Sequence, residues 1–424
     1  MRLIMLGASL AQLPGIQMAR AMGHEVITCD DQEDSIGHHA SNGRITASTF
    51  DAEAVLRVAG NLAPDGIMTM GTDQPVLTAA IVASQLGLPS LLTVLQAQSV
   101  TDKRIMKALL VDCRIPTAPY VVVKKTKENR FSEDQLNKLR SLGTPVVVKP
   151  VDSQGQRGIY VLPQIESIEA VMDSVLAFSR TDEILVEQYY SSDEVTVSGW
   201  VNEGHLTVLT ITDRLTFNSI EQIGICLSHE YPSRHMKQYG QALIDITRQI
   251  VNGFKIKDGP IYCQFLIGSS GIIVNEVASR IGGAFESQII PRISGFNITR
   301  SVIQHSLGLK MNQDDTEALK TFHVLSDFHV MSVQLFFAEP CTIQSLTPLD
   351  VLDQCPGIIE AGYFKKEGQV IPEIRSATER VGYCLLTAVS KAQMEQRLAY
   401  LYQYLKVLDT NGHNRIIHRP ILQS

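Results

Sequence analysis

Basic residues do not outnumber acidic ones in this chain of 424 residues: 37 Lys and Arg stand against 44 Asp and Glu, a formal net charge of -7. Without a basic field there is no electrostatic footprint for nucleic acid, and an anionic substrate must be met by individual Lys, Arg and backbone amide groups. Long apolar runs are missing too. The opening MRLIMLGASLAQLPG is too short in its apolar part for a signal segment, and no run reaches spanning length, so a cytoplasmic protein with no membrane partner is expected. Cysteine is sparse: residues 29, 113, 226, 263, 341, 355 and 384 form no CxxC, and most sit in apolar runs, as reduced core residues do. GxxxxGK[ST], HExxH and GxSxG are all absent, which removes a P-loop, a zinc helix and an activated serine, and no Cys has an obvious His partner. The single tryptophan, Trp200, lies on a strand pattern and reads as core.

What is present suffices for a packed protein. Hydrophobic residues make up 44% and charged ones 19%, a globular balance. This length predicts roughly two to four subdomains. The start reads as a βαβ unit, with a strand over 2–6, a helix over 13–22 and a strand over 24–29 ending at Asp30. GASLAQ keeps only the first of the three dinucleotide-binding glycines, so a supporting α/β domain is preferred to a nicotinamide-binding one. A helix over 52–62, a strand over 66–70 and a helix over 76–86 continue the pattern. Gly71 and Asp73 stand at that strand's carboxyl end, where open α/β sheets place ligands, although an Asp there more often caps the next helix.

Three stretches carry chemistry. PVVVKP puts Lys149 in an apolar strand directly before VDSQGQRGIYVL, a loop with Gly155 and Gly158. Such a lysine either meets an anion or snorkels, and such a loop is either a simple turn or a phosphate cover. EILVEQYY ends with Glu187, Gln188 and Tyr189, and Glu194 follows. IYCQFLIGSSGIIVNEV reads as two strands joined by a turn, each with one metal-capable oxygen side chain, Gln264 and Glu276. The pair suits a magnesium ion held from one side, its other positions left to water and phosphate. Equally, Glu276 and Arg280 suit a structural ion pair.

In this order, these stretches resemble the ATP-grasp ligase superfamily over about residues 1–308. TDKRIMKALLVDCRIPTAPY is similar to its leading segment, PVVVKPVDSQGQRGIYV to its lysine strand and lid, ILVEQYYSSDEVTVSGW to its hinge and ribose segment, and QFLI with GIIVNEVASRIGG to its metal-binding strand pair. The resemblance implies an α/β fold: an N-terminal open parallel-sheet domain (1–100), an ATP-grasp small lobe with the lid (101–189), a large lobe with the metal site (190–308) and a small C-terminal α+β subdomain (309–424). It implies that Lys103 and Lys149 contact nucleotide phosphates under a cover of Gln154, Gly155 and Gly158. Glu187 and the backbone of Gln188 and Tyr189 would meet the adenine edge, and Glu194 the ribose. Gln264 and Glu276 would hold the metal, with Arg280 and Lys149 at the transferred phosphoryl group. Arg214, His229 and Arg292, with Glu230, fall in segments that face the nucleotide in relatives and are candidate substrate residues.

Two departures stand out. Gln264 occupies a position that is a carboxylate in many members and glutamine in the carbamoyl-phosphate synthetase branch. Ala278 stands where many have Asn, and NEVASR is similar to the NEIAPR form of carboxyaminoimidazole synthetases. The activity implied is an ATP-dependent carboxylate–amine ligation through an acyl phosphate, with ATP and Mg2+ (or Mn2+) as cofactors, small-molecule carboxylate and amine substrates, and a homodimer as a candidate assembly. A bicarbonate-using carboxylating ligase and a non-catalytic nucleotide-binding protein on the same fold are the alternatives.

Overall fold

The computed structural model describes residues 1–126, 131–217, 219, 222–327 and 329–418. The chain opens on a four-stranded parallel sheet in the order Gly43–Thr46, Glu25–Asp30, Arg2–Leu6, Gly66–Thr69. Leu3, Ile4, Met5 and Leu6 are all fully buried, which is why this central strand reads as an unbroken apolar run. Helices Leu13–Ala21, Ala52–Leu62 and Pro75–Leu86 follow their strands as expected. The helix Ile36–Ala40 and the edge strand Gly43–Thr46 were not foreseen. Only Ile45 of that strand is buried, so it leaves no apolar pattern.

A second, antiparallel sheet runs Tyr120–Lys124, Glu183–Gln188, Val146–Pro150, Tyr160–Leu162. Its alternation positions the chemistry. Val146, Val148, Ile184 and Val186 join one apolar core with the helices Glu133–Arg140 and Ile168–Leu176. Val147, paired with Glu187, and Lys149, paired with Leu185, therefore belong to the opposite face.

The largest sheet has eight antiparallel strands: Gly271–Ala278, Gly259–Gly268, Ser192–Asn202, His205–Thr216, Cys226–Tyr231, Val330–Phe336, Gly382–Ala388 and Ile358–Tyr363. Trp200 is fully buried in its core against Phe296, ring centroids 5.2 Å apart. Three of the last four strands come from beyond residue 309, so that part of the chain continues the large sheet. The joining strand, Cys226–Tyr231, carries Ser228, His229 and Glu230 in succession and buries the first two, so its sequence CLSHEY shows no strand alternation. The C-terminal part adds its own core around Leu352, Leu386, Leu398 and Leu401, and a three-stranded sheet. The segment 284–308 forms two helices, Glu286–Ser294 and Ile298–Ser306. Among the described residues, no helix is long and apolar enough to cross a membrane, and all seven cysteines are free thiols.

Candidate active site

Two cavities of about 310 and 260 Å³ lie between these sheets, both bordered by Lys103, Lys149 and Glu276. The smaller has Val147, Ile159, Leu266 and Ile273 in its wall, together with Glu187, Gln188, Tyr189 and Glu194. The larger takes in Asp73, Arg214, His229, Gln264 and Arg280. The structure thus gathers nearly every residue singled out from sequence into one cleft. Arg292 is the exception: it is exposed on its helix and donates to the Gln288 carbonyl at 2.6 Å. A helical turn carries it away from the cleft, so it drops out as a substrate residue. Glu230 also departs from expectation, since Gln334 of the neighbouring strand donates to its carboxylate at 2.9 Å.

Lys103 and Lys107 lie four residues apart on the helix Lys103–Asp112, hence on one face, and both are buried. Lys107 Nζ is 2.6 Å from Glu187 Oε1, and Lys149 pairs with Glu187 Oε2. Burial alone would raise the Glu187 carboxyl, but the two ammonium groups outweigh it and hold it at about 2. Both oxygens are therefore engaged by lysines, while Glu187 still lines the smaller cavity. The backbone N–H groups that follow are engaged as well. The Gln188 N–H donates to the Pro119 carbonyl at 3.0 Å and the Tyr189 N–H to Pro145 at 3.1 Å, because both amides extend the pairing of the small sheet. Lys107, not foreseen as a site residue, was marked only by its spacing from Lys103.

Glu276 does not pair with Arg280. Lys103 Nζ lies 3.3 Å from Glu276 Oε1 and donates to the Ser153 carbonyl at 2.7 Å. Burial works against the Lys103 charge, but Glu276 and Asp73 more than offset it and raise its pKa. Arg280 is held by Asp73 instead, with Nε to Oδ1 at 2.7 Å, and its guanidinium lies 4.7 Å from the Tyr262 ring centroid. Burial opposes the Arg280 charge and Asp73 again wins, so the group stays cationic. Asp73 is thus not a helix cap; the helix that follows starts at Pro75, with Gln74 at its N-cap position and no side-chain cap. Its position at a strand's carboxyl end was the informative signal. Gly283 lets this constellation close, because a Cβ there would lie 2.7 Å from the Gly71 carbonyl oxygen.

Gln264 and Glu276 face each other directly across their two strands, with a bulge just after. Gln264 Oε1 is buried without a hydrogen-bond partner. Such an oxygen beside a carboxylate is what a cation would satisfy. Among the described residues no three His, Cys, Asp or Glu side chains group around one point. The donor set therefore suits a hard ion that keeps most of its ligands from water and phosphate, as magnesium does, and not a closed zinc cage.

Arg214 pairs with Glu194 and donates to the Gly224 carbonyl at 2.6 Å, so Glu194 is engaged by protein before any ribose meets it. His229 is buried beside Thr212, with Nδ1 at 3.3 Å from Oγ1. Burial, then the nearby Arg214 and Arg380, depress its pKa from 6.5 to about 3. The ring is expected to stay neutral from pH 8 to pH 4 in an imidazole NMR titration. The sign for stability follows from linkage. Below 6.5 the unfolded chain takes up a proton that the folded chain refuses, so His229 destabilises the fold progressively as pH falls from 6.5 towards 3.

The loop after Lys149 closes over the cleft by side-chain contact: Gln154 accepts from the backbone N–H groups of Asp73 and Gln74. Gly155 and Gly158 both have positive φ, +69° and +73°, but differ in their surroundings. A Cβ on Gly158 would lie 2.9 Å from Phe178 and 3.0 Å from Pro150, whereas one on Gly155 meets nothing within 4 Å. Gly158→Ala is expected to cost about 2 kcal/mol in chemical denaturation and Gly155→Ala about 1 kcal/mol. Equal costs would show that backbone strain alone governs the loop. Arg380, from the C-terminal part, also lines the larger cavity. Nothing in its local sequence marked it, since only the long-range pairing of its sheet brings it there.

An ATP-grasp fold binds and uses a nucleotide between two lobes in this way, and the sequence matches bear that class out. Residues 142–288 match the ATP-grasp domain model, and residues 334–408 match that of the L-amino acid ligase C-terminal domain 2. The chain thus carries an ATP-grasp domain followed by a C-terminal domain of the L-amino acid ligase type. An L-arginine-specific L-amino acid ligase of Bacillus subtilis is 23% identical over 327 residues, 74% of this chain and 74% of that one. The solved L-amino acid ligase of Bacillus licheniformis is 19% identical with a TM-score of 0.80, over 97% of this chain and 99% of its own. The biotin carboxylase domain of Hydrogenobacter thermophilus 2-oxoglutarate carboxylase, crystallised with MgADP and bicarbonate, has a TM-score of 0.72 at 14% identity, over 95% of this chain and 90% of that one.

Proposed function

We propose that this protein joins two amino acids, activating the carboxylate of one as an acyl phosphate with ATP and releasing ADP and phosphate. The observation that carries the reading is the meeting of the two cavities at Lys103, Lys149 and Glu276. That junction sits between a recess with Val147, Ile159, Leu266 and Ile273 in its wall, against which a nucleotide base could pack, and a recess rich in arginine, so the phosphates of a nucleotide would end where a carboxylate can reach them. The match of the C-terminal part to an L-amino acid ligase domain favours amino acids as the substrates.

Phosphoryl transfer needs positioning and charge neutralisation more than covalent help. A carboxylate oxygen of the first substrate forms the new bond to the γ-phosphorus while the bond to the ADP oxygen breaks. Lys103, Lys149 and Arg280 would neutralise the phosphoryl oxygens during that exchange. Glu276 and Gln264 would hold magnesium, which would supply positive charge to neutralise the phosphates. The neutral amine of the second substrate then attacks the acyl carbon, phosphate leaves, and the amine loses its proton. Asp73 keeps Arg280 oriented, and Glu187 fixes the spacing of Lys107 and Lys149.

With ATP, magnesium and hydroxylamine in place of the amine, the activated amino acid is expected to accumulate as a hydroxamate. ADP release without any hydroxamate across the twenty amino acids would remove the acyl phosphate from the mechanism.

A further inference from the structure

Among the cations of the larger cavity, Lys103 has Glu276, Lys149 has Glu187, Arg280 has Asp73 and Arg214 has Glu194, while Arg157 donates to the Gln154 carbonyl at 3.2 Å. Arg380 has no such partner. Among the described residues its side chain has no ion pair or hydrogen bond, and its Nε is shut off from solvent without an acceptor. Burial lowers its pKa from the ordinary arginine value and the charge of Arg214 lowers it further, against Cys226 and Tyr262. A guanidinium remains charged even so. Arg380 is half-buried at the cavity wall, and a partly desolvated cation without a partner is costly unless a ligand supplies the anion.

Its position is fixed by the backbone on both sides. Ser376 and Glu379 close a capping box, the Ala377 N–H donates to the Gly155 carbonyl at 3.2 Å, and the Val381 N–H donates to Phe336 at 2.7 Å. The first of these bonds ties the Arg380 segment to the loop that covers the cleft. The charged surroundings also divide the cavity. Asp73, Tyr262, Glu286 and Glu276 surround Arg280, whereas Cys226, Arg214 and Tyr262 surround Arg380, so the two share Tyr262 but the carboxylates lie on the Arg280 side. Arg380 thus stands apart from the groups that would serve phosphoryl transfer, and the anion it awaits is not the reacting carboxylate.

We propose that Arg380 binds the carboxylate of the amine substrate, which makes that substrate an amino acid and the product a peptide. This rests on the ligase reading above. When two amino acids are joined, one carboxylate loses its charge to the reaction and the other keeps it from binding to product. Lys103, Lys149 and Arg280 stand where the first is consumed. Arg380, with a fork that matches a carboxylate in a bidentate geometry, answers the second. A simple amine would leave the guanidinium unpaired, with its Nε still without an acceptor.

The test compares an amino acid with its carboxamide as the amine substrate, at saturating ATP and activated acid, in the wild type and in R380M and R380K. The wild type is expected to favour the free acid by roughly 100-fold in kcat/KM, most of it in KM, and R380M to erase that preference. R380K, which keeps the charge and loses the fork, should retain part of it and keeps the test readable if R380M does not fold. An undiminished preference in R380M, or no preference in the wild type, overturns the assignment. Calorimetric binding of the acid and the amide to the MgADP-loaded protein provides a second arm that needs no turnover. Tighter binding of the acid that depends on Arg380 supports the assignment even if the hydroxamate experiment fails, while equal binding of acid and amide overturns it.

Discussion

Glu276→Gln is expected to lower ATP turnover by roughly 10³-fold while leaving the protein folded. The substitution keeps shape and hydrogen bonding but removes the charge at the junction of the two cavities. Lys103 retains the Ser153 carbonyl at 2.7 Å and so has a place to go, which limits the structural damage. The metal-capable pair, by contrast, would be reduced to two neutral amides, Gln264 and the new Gln, which bind a hard dication weakly. Burial tends to raise the Glu276 carboxyl, but Lys103, Lys149 and Arg280 outweigh it and lower its pKa, so the group is an anion at neutral pH. ADP release would be followed with circular dichroism as the control for folding. Turnover within about threefold of wild type would remove Glu276 from the metal site.

Glu187→Gln has the largest expected effect on stability. Its carboxylate lies between Lys107 and Lys149, and all three side chains are buried. Without the negative charge two ammonium groups would remain in the interior with no counter-ion between them, a loss of roughly 3–5 kcal/mol. Chemical denaturation at pH 7 measures this, and a loss below about 1 kcal/mol would mean that the lysines find water or another anion. The wild type gives the same information through pH. The Glu187 carboxyl is held at about 2 in the folded chain, against 4.5 as its ordinary value. Its contribution is therefore fully present above about 4.5 and is lost as pH falls towards 2. In Glu187→Gln that part of the acid limb should flatten, while the limb from His229 between 6.5 and 3 persists.

The fold and the site were legible to different degrees, for physical reasons. Strands such as Arg2–Leu6 and Val146–Pro150 announce themselves because burial on both faces demands unbroken apolar runs. Period-two alternation then places Lys149 and Glu187 on the cleft side of their sheet, and the resemblance over residues 1–308 supplied the rest of the wall. Partnerships were not legible. Glu276 and Arg280, four residues apart, looked like a natural pair, yet each found its charge elsewhere, Glu276 in Lys103 and Arg280 in Asp73, 207 residues away. Lys107, from a helix, takes one of the Glu187 oxygens, which nothing near Glu187 in the chain foretold. Such choices depend on which elements pack together, and local patterns carry no record of it. The same holds for Arg380, which reaches the cleft only because Cys226–Tyr231 pairs with Val330–Phe336 and that strand with Gly382–Ala388. The first of these strands hid its pattern by burying Ser228 and His229.

The protein with ATP, magnesium and pairs of amino acids, with ADP and condensed product measured together, tests the account most directly. The account predicts ADP and peptide in equal amounts, appearing only when amino acids are present and unaffected by added bicarbonate. ADP release that depends on bicarbonate, or that proceeds with no peptide formed from any pair, would contradict it.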